Sequence, residues 1–296
     1  MTTDTTVLAT GQALEAQPLR PKRRGRGSLA GTIALVIAAI VWFLPFVLLI
    51  TTSIRTGSDF LSGGPISWPK ELTFQNFTDA WKVGNFSTTY RNSIIIAVVK
   101  VPLGVLISAM MAFALAKLRV RFKGAVLFSV VLGLTIPIYI ALVPLFITIK
   151  DIGLIDNLFG LLGPYLAFGI PFEVLVLHSF FRGLPDEVLE AARMDGAGAW
   201  RMFFQIVLPL SKPALITVLI LDAVSTWNEL LMALTILSSD SRKTLPLGLL
   251  NFTGQFSTNY GGLAAAILIA VVPMLIAYGF LQRYIVSALT AGAVKG

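Results

Sequence analysis

No cysteine occurs among the 296 residues, and histidine occurs once, as His178. Disulfide frameworks, thiolate metal sites, iron–sulfur clusters and cysteine nucleophiles are excluded in one step, and a single imidazole leaves little for a histidine-based metal site or a catalytic triad. Charge is scarce as well. Asp, Glu, Lys and Arg make up 13% of the chain against 56% hydrophobic residues, and the mean hydropathy is +0.82, which rules out a cytosolic globule. None of the ten lysines follows a glycine, so the Gly-Lys pair of a phosphate-cradling P-loop is missing.

What the chain does have is apolar sequence in lengths that fit a bilayer. Six stretches of the roughly 17–25 residues needed to cross hydrocarbon cover 29–54, 93–116, 125–149, 160–181, 213–237 and 263–284. The first is too long for the hydrophobic region of a signal peptide and lacks a small-residue cleavage site, so it is expected to remain as an anchor. The net charge of +8 would suit nucleic acid, but its distribution points to a membrane. Fifteen of the 23 Lys and Arg residues fall on segments sharing a side with the N-terminus, seven on the other side, and Lys100 lies inside a span. The positive-inside rule therefore places both termini in the cytoplasm of a multi-pass cell-membrane protein. Residues 1–28 form a polar tail ending in the Arg20 to Arg26 basic run, suited to anionic inner-leaflet lipid. The outer segment 55–90 carries Pro65, Trp68, Pro69, Phe74, Phe77 and Trp81, which fits either docking of an external partner or an aromatic belt at the bilayer surface.

The segment 182–212, between the fourth and fifth spans, reads as two short helices with a sharp break. Pro185 suits a first helical position, and Asp186, Glu187 and Glu190 put negative charge in the first turns, where the helix dipole favours it. Gly196 and Gly198 give the freedom for a reversal. Trp200, Phe203, Phe204 and Val207 then recur at helical spacing and are expected to share one apolar face. Val188, Leu189 and Ala192 form a small apolar face on the first helix, with Glu187, Glu190 and Arg193 as charges for register. A helix lying flat at the lipid interface would account for that face and for Arg193, but not for acidic residues beside anionic lipid.

Glu190-Ala191-Ala192, three residues, Gly196, nine residues, Ile206, one residue and Leu208-Pro209 together resemble the EAA motif of ABC-importer permease subunits. The resemblance extends over nearly the whole chain after residue 28. Asn92-Ser93, Trp227-Asn228-Glu229 and the ending from Leu289 to Gly296 are similar to the maltose-type, carbohydrate-uptake permeases, the ending more narrowly to the second permease subunit of the pair. The resemblance implies an all-α integral membrane fold of six transmembrane helices, spanning 29–290, with a cytoplasmic coupling helix between spans four and five. It assigns ATPase coupling to Glu190, Ala191, Ala192, Asp195, Gly196, Ile206, Leu208 and Pro209. Within the C-terminal tail 291–296 it gives Gly292, Ala293, Val294, Lys295 and Gly296 a contact with the ATPase pair. It further implies a homologous permease partner, an ATPase dimer that holds ATP and magnesium, and an extracytoplasmic solute-binding protein. This chain itself is expected to be no enzyme and to bind no cofactor, metal or nucleic acid.

Ionisable groups inside spans are costly and each is a functional candidate. Asp222, Ser225, Thr226 and Glu229 fall on one helical stripe. Asn228 and Glu229, with Trp227 beside them, suit a sugar pathway, since amides and carboxylates pair with hydroxyls and an indole stacks on a pyranose. Asp222 fits better as a bond between helices. Lys100 requires a carboxylate or an outward reach, with Glu173 one available partner, and His178 is expected as a satisfied packing residue. Pro137, Pro144, Pro164 and Pro171 interrupt backbone bonding in spans three and four, which makes Tyr139 and Tyr165 further pathway candidates. The expected function is import of a mono- or oligosaccharide. The competing readings are an ABC permease for another solute and a transporter working alone, the latter disfavoured by the missing inverted repeat.

Overall fold

The computed structural model describes residues 29–254 and 259–293. The basic tail 1–28 and Val294, Lys295 and Gly296 lie outside the described residues. The chain divides into two compact units, Met1–Pro45 and Phe46–Gly296. The described part of the first is helix, the opening of α1 (Leu29–Ser53), whose Pro45 withholds one backbone donor.

The described residues of the second unit are mostly helical, with one isolated antiparallel bridge between Arg55 and Leu72. Two short helices, α2 (Gly57–Gly63) and α3 (Gln75–Val83), lead into the long α4 (Phe86–Lys117). Next come α5 (Lys123–Thr135), α6 (Ile138–Asp151) and α7 (Leu162–Arg182). The segment after α7 supplies α8 (Asp186–Met194), α9 (Ala199–Met202), a widened π turn at Phe203–Val207 and α10 (Leu208–Leu210). The chain closes with α11 (Lys212–Asn228), α12 (Leu231–Ile236), α13 (Leu245–Leu249) and α14 (Tyr260–Ala293).

Among the described residues, four helices are long and apolar enough to cross a membrane: Leu29–Ser53, Phe86–Lys117, Leu158–Arg182 and Tyr260–Phe280. Six crossings result if each of two bent pairs makes one. The expected third span is not a single rod: α5 and α6 meet at 99°. Pro137 explains the break, because it donates no hydrogen bond and holds Ile136 extended at ψ 112°. Span five also departs from its expected bounds of 213–237. Its helix stops at Asn228, and at its other end α11 leaves the 199–210 segment through an 80° bend.

The centre of the unit is the pairing of α4 with α7. Val105, Ala109 and Phe113 of α4 pack with Leu177 and Phe181 of α7, and the buried glycine and alanine positions on α4 let the two backbones approach closely. A second core near the opposite ends joins Leu161 and Tyr165 to Met232 and Ile236.

Candidate coupling surface and membrane pathway

Helix α8 starts at Asp186, directly after Pro185, which sits one place earlier than expected, in extended geometry at ψ 130°. At its other end Gly196 adopts φ +78°; the Gly196 N–H donates to the Arg193 carbonyl at 3.0 Å and the Ala197 N–H to the Ala192 carbonyl at 2.9 Å. This pair of bonds is the Schellman termination, and it requires a left-handed residue where glycine stands. No atom lies within 4 Å of a side chain added there, so the requirement is conformational and not steric.

Leu189 and Ala192 are buried in the same core as Phe181, Met202 and Phe203. Two of the three residues of the small apolar face, Leu189 and Ala192, therefore fasten the helix to its own bundle, and Val188 stays outside it. Glu187, Val188, Glu190, Ala191, Met194 and Asp195 face outward. Two cations complete the fastening. Lys117, at the end of α4, donates to the Leu184 carbonyl at 2.7 Å and to Asp186 Oδ1 at 2.6 Å, while Arg193 reaches the Lys117 carbonyl at 3.3 Å. The hydrogen bond from Lys117 holds the Asp186 carboxyl below the usual carboxylate range. A groove of about 580 Å³ opens between the two elements, lined by Lys117, Arg119, Asp186, Glu190 and Arg193 among others.

Beyond the glycine turn, Trp200, Phe203, Phe204 and Val207 do not share one face. The π turn at Phe203–Val207, just ahead of Pro209 and its missing N–H, rotates the register. Phe203 and Val207 are buried, whereas Trp200 and Phe204 are exposed and stack on each other at 6.1 Å. Ile206 and Leu208 pack partly into the α8 core, and Pro209 is exposed. The motif thus forms one fastened block joined to α11 by the 80° elbow at Ser211, whose N–H bonds Val207 and Leu208.

Inside the spans, Lys100 of α4 meets Asp222 of α11 and lies 3.7 Å from Glu173 of α7; Ser108 donates to Glu173 at 2.8 Å. The cation's nearest partner is Asp222, in keeping with that residue's reading as an interhelix bond, and Glu173 comes second. His178 is buried, yet its Nε2 has no hydrogen-bond partner, so its packing is less satisfied than expected.

At the far end of α11 the pathway candidates separate. Glu229 accepts from the Met232 and Ala233 N–H groups at 2.8 and 3.1 Å and from the Tyr165 hydroxyl at 2.6 Å. Both side chains hold the break between α11 and α12, satisfying donors that a helix start leaves open. Trp227 is buried, donates to the Ala270 carbonyl and packs at a tilt against Tyr90, with centroids 5.9 Å apart. Asn228 and Tyr139 remain exposed. Asn228 borders a cavity of about 320 Å³ lined also by Val224, Leu249, Val271 and Met274.

Two anchors were not apparent from the residues alone. Arg55, at the start of the outer segment, is buried, and its guanidinium bonds the Asp59 carboxylate and the Gly64 and Ser67 carbonyls. Asp156, left-handed at φ 54°, accepts from the Ser238 and Ser239 N–H groups at 2.9 Å each and from the Ser239 hydroxyl. The Ser239 and Ser238 hydrogen bonds lower its carboxyl from 3.8 to about 2. A local signal existed for the first, an Arg and an Asp four residues apart; the partners of the second are 82 and 83 residues away.

Residues 104–291 match the family described as binding-protein-dependent transport system inner membrane component. A putative ABC transporter permease of Caldicellulosiruptor is 38% identical over 264 residues, covering 89% of this chain and 96% of the relative. The diacetylchitobiose uptake system permease NgcG of Streptomyces coelicolor is 33% identical over 88% of this chain and 87% of its own. Among solved structures, a chain of a bacterial ABC transporter that imports the acidic polysaccharide alginate superposes with a TM-score of 0.75 at 25% identity, covering 91% of this chain and 100% of the other.

Proposed function

Because the chain belongs to the family of binding-protein-dependent transport system inner membrane components, we propose that it is the sugar-conducting permease half of an ABC importer, carrying a mono- or oligosaccharide from an external binding protein into the cell. It is a multi-pass membrane permease subunit and not an enzyme. The carbohydrate assignment draws on the diacetylchitobiose and alginate systems among its relatives. One observation carries the mechanical part of the reading: α8 is fixed to α4 by its apolar face, presents Glu190 and Ala191 outward, and continues through a single elbow into α11.

In this reading a homologous permease subunit completes the membrane domain, and both termini lie in the cytoplasm. An ATPase dimer, which holds ATP and magnesium, docks on the block containing Glu190, Ala191, Ala192, Asp195, Gly196, Ile206, Leu208 and Pro209. Gly292, Ala293, Val294, Lys295 and Gly296 are the proposed tail contacts of the same ATPase pair, and the Arg20 to Arg26 charges suit inner-leaflet lipid. Closure of the ATPases drags α8, and the elbow rocks α11 between inward-open and outward-open arrangements. Asn228 and Tyr139 are the exposed pathway candidates. Trp227 borders the same cavity as Asn228, and Glu229 and Tyr165 hold the helix break beside it.

Purification from the host in mild detergent tests the assignment. The chain should emerge with a nucleotide-hydrolysing subunit, and uptake into proteoliposomes should require that subunit, ATP and the binding protein. Uphill transport by the chain alone would end this reading.

A further inference from the structure

Three charged side chains meet between α4, α7 and α11 with almost no access to solvent: those of Lys100, Glu173 and Asp222 are 2%, 1% and 4% exposed. One cation faces two carboxyls. Lys100 contacts Asp222 through Oδ1, and Ser108 donates to Glu173 through Oε2. One oxygen of each carboxyl is buried without a hydrogen bond: Asp222 Oδ2, and Glu173 Oε1, which lies 3.7 Å from Lys100 Nζ. Buried polar atoms are seldom left in that condition.

The space around the cluster is shaped by glycine. A side chain on Gly169 would place its first carbon 2.6 Å from Lys100 Nζ, 3.1 Å from Glu173 Oε1 and 3.4 Å from Asp222 Oδ1; one on Gly104 would meet Glu173 Oε1 at 3.3 Å. All three charged groups thus converge on one spot that only bare backbone leaves open. The other ionisable groups on these helices are engaged or lie away from it. Lys117 pairs with Asp186, Tyr165 with Glu229, and His178 lies toward Lys123 and Arg182.

We infer that Glu173 and Asp222 form a proton-binding site within the membrane domain, with one proton held by the pair of carboxyls and Lys100 as the fixed cation. An ionised carboxylate only accepts hydrogen bonds, whereas a protonated one donates. A single proton therefore gives one of the two carboxyls a donor and brings the cluster to zero net charge. Without it, two like charges share a buried site with one counter-ion, an arrangement that proteins resolve by protonation. The site ties α11, which receives motion from the coupling block, to the α4–α7 pair. It does not depend on which solute is carried.

Infrared difference spectroscopy of the purified transporter at neutral pH tests the inference. The wild-type minus Glu173→Gln spectrum should contain the carbonyl stretch of a protonated carboxyl, shifted in heavy water, and the wild-type minus Asp222→Asn spectrum should contain the same band. Either substitution leaves Lys100 with one carboxylate, so each cluster stays neutral and neither needs the proton. Absence of the band from either difference spectrum overturns the proposal. Should a variant fail to accumulate, a wild-type spectrum with no deuterium-sensitive carboxyl band overturns it independently. The readout requires no transport activity, so a wrong assignment of the solute leaves it intact.

Discussion

Across Gly196, the Ala197 N–H donates to the Ala192 carbonyl at 2.9 Å, and this bond turns the chain at the end of α8 back toward its own core. Ala192 is buried there and Ala197 packs beside it, so the turn sets the angle at which Glu190 and Ala191 are presented.

Replacing Gly196 with valine places a β-branched residue at φ +78°, where an L side chain costs about 1–2 kcal/mol or more. Open space around the position removes any steric contribution. Gly196→Val should insert normally yet lose about tenfold or more of the ATPase stimulation by binding protein and sugar. Gly196→Asn should recover most of it, because asparagine tolerates the left-handed conformation. Equal ATPase stimulation in wild type and Gly196→Val would contradict the coupling role.

Lys100→Met removes the one cation that, among the described residues, pairs with Glu173 and Asp222. Breaking a buried ion pair by deleting one partner costs about 3–5 kcal/mol, so thermal unfolding in detergent should shift down sharply. A triple variant, Lys100→Met with Glu173→Gln and Asp222→Asn, should regain much of that loss, since no unpaired charge remains. No recovery in the triple variant would mean that the charges serve something other than each other.

The sequence disclosed helices better than it disclosed their directions. Hydropathy sees an unbroken run at 125–149, yet Pro137 turns it by 99°, and only the proline hints at the break. The motif around Glu190 was legible because its determinants are local: acidic residues at a helix start, and a glycine where the chain must reverse. The orientation of that helix was not, since Leu189 and Ala192 look equally suited to a partner's groove and to the chain's own core. Glu229 and Trp227 show the same limit. Their residue types suit a sugar, but bonds to Met232, Ala233 and Ala270 engage them in ways that one-dimensional spacing does not reveal.

Asp156 gives a pH signature. Its carboxyl falls to about 2 in the folded protein from an ordinary 3.8, through the Ser239 and Ser238 hydrogen bonds. The folded state thus favours the ionised form, so the stabilisation is complete above about pH 4 and is lost as the pH falls toward 2. Proteolysis or hydrogen exchange near Ser238 and Ser239 should rise over that window. Asp156→Asn should show the raised exchange already at neutral pH and no further change on acidification; an unaltered acid response in the variant would assign the effect to other groups.

Glu229 and Asn228 are neighbours with separable roles, and two readouts distinguish them. Glu229→Ala removes the acceptor for two backbone N–H groups and for the Tyr165 hydroxyl. Loss of such a cap costs about 0.5–2 kcal/mol, and more when a buried donor is stranded. Thermal stability and sugar uptake should therefore fall together in Glu229→Ala, and Tyr165→Phe should reproduce part of the stability loss. Asn228 is exposed, and its amide donates only to the Val224 carbonyl one turn earlier, so Asn228→Ala should leave stability within about 0.5 kcal/mol. If Asn228 lines the sugar route, uptake should drop severalfold in that variant at unchanged stability, with basal ATPase retained. The reverse pattern, stable Glu229→Ala with poor uptake beside fully active Asn228→Ala, would move sugar contact from the amide to the carboxylate and require the break between α11 and α12 to open during transport.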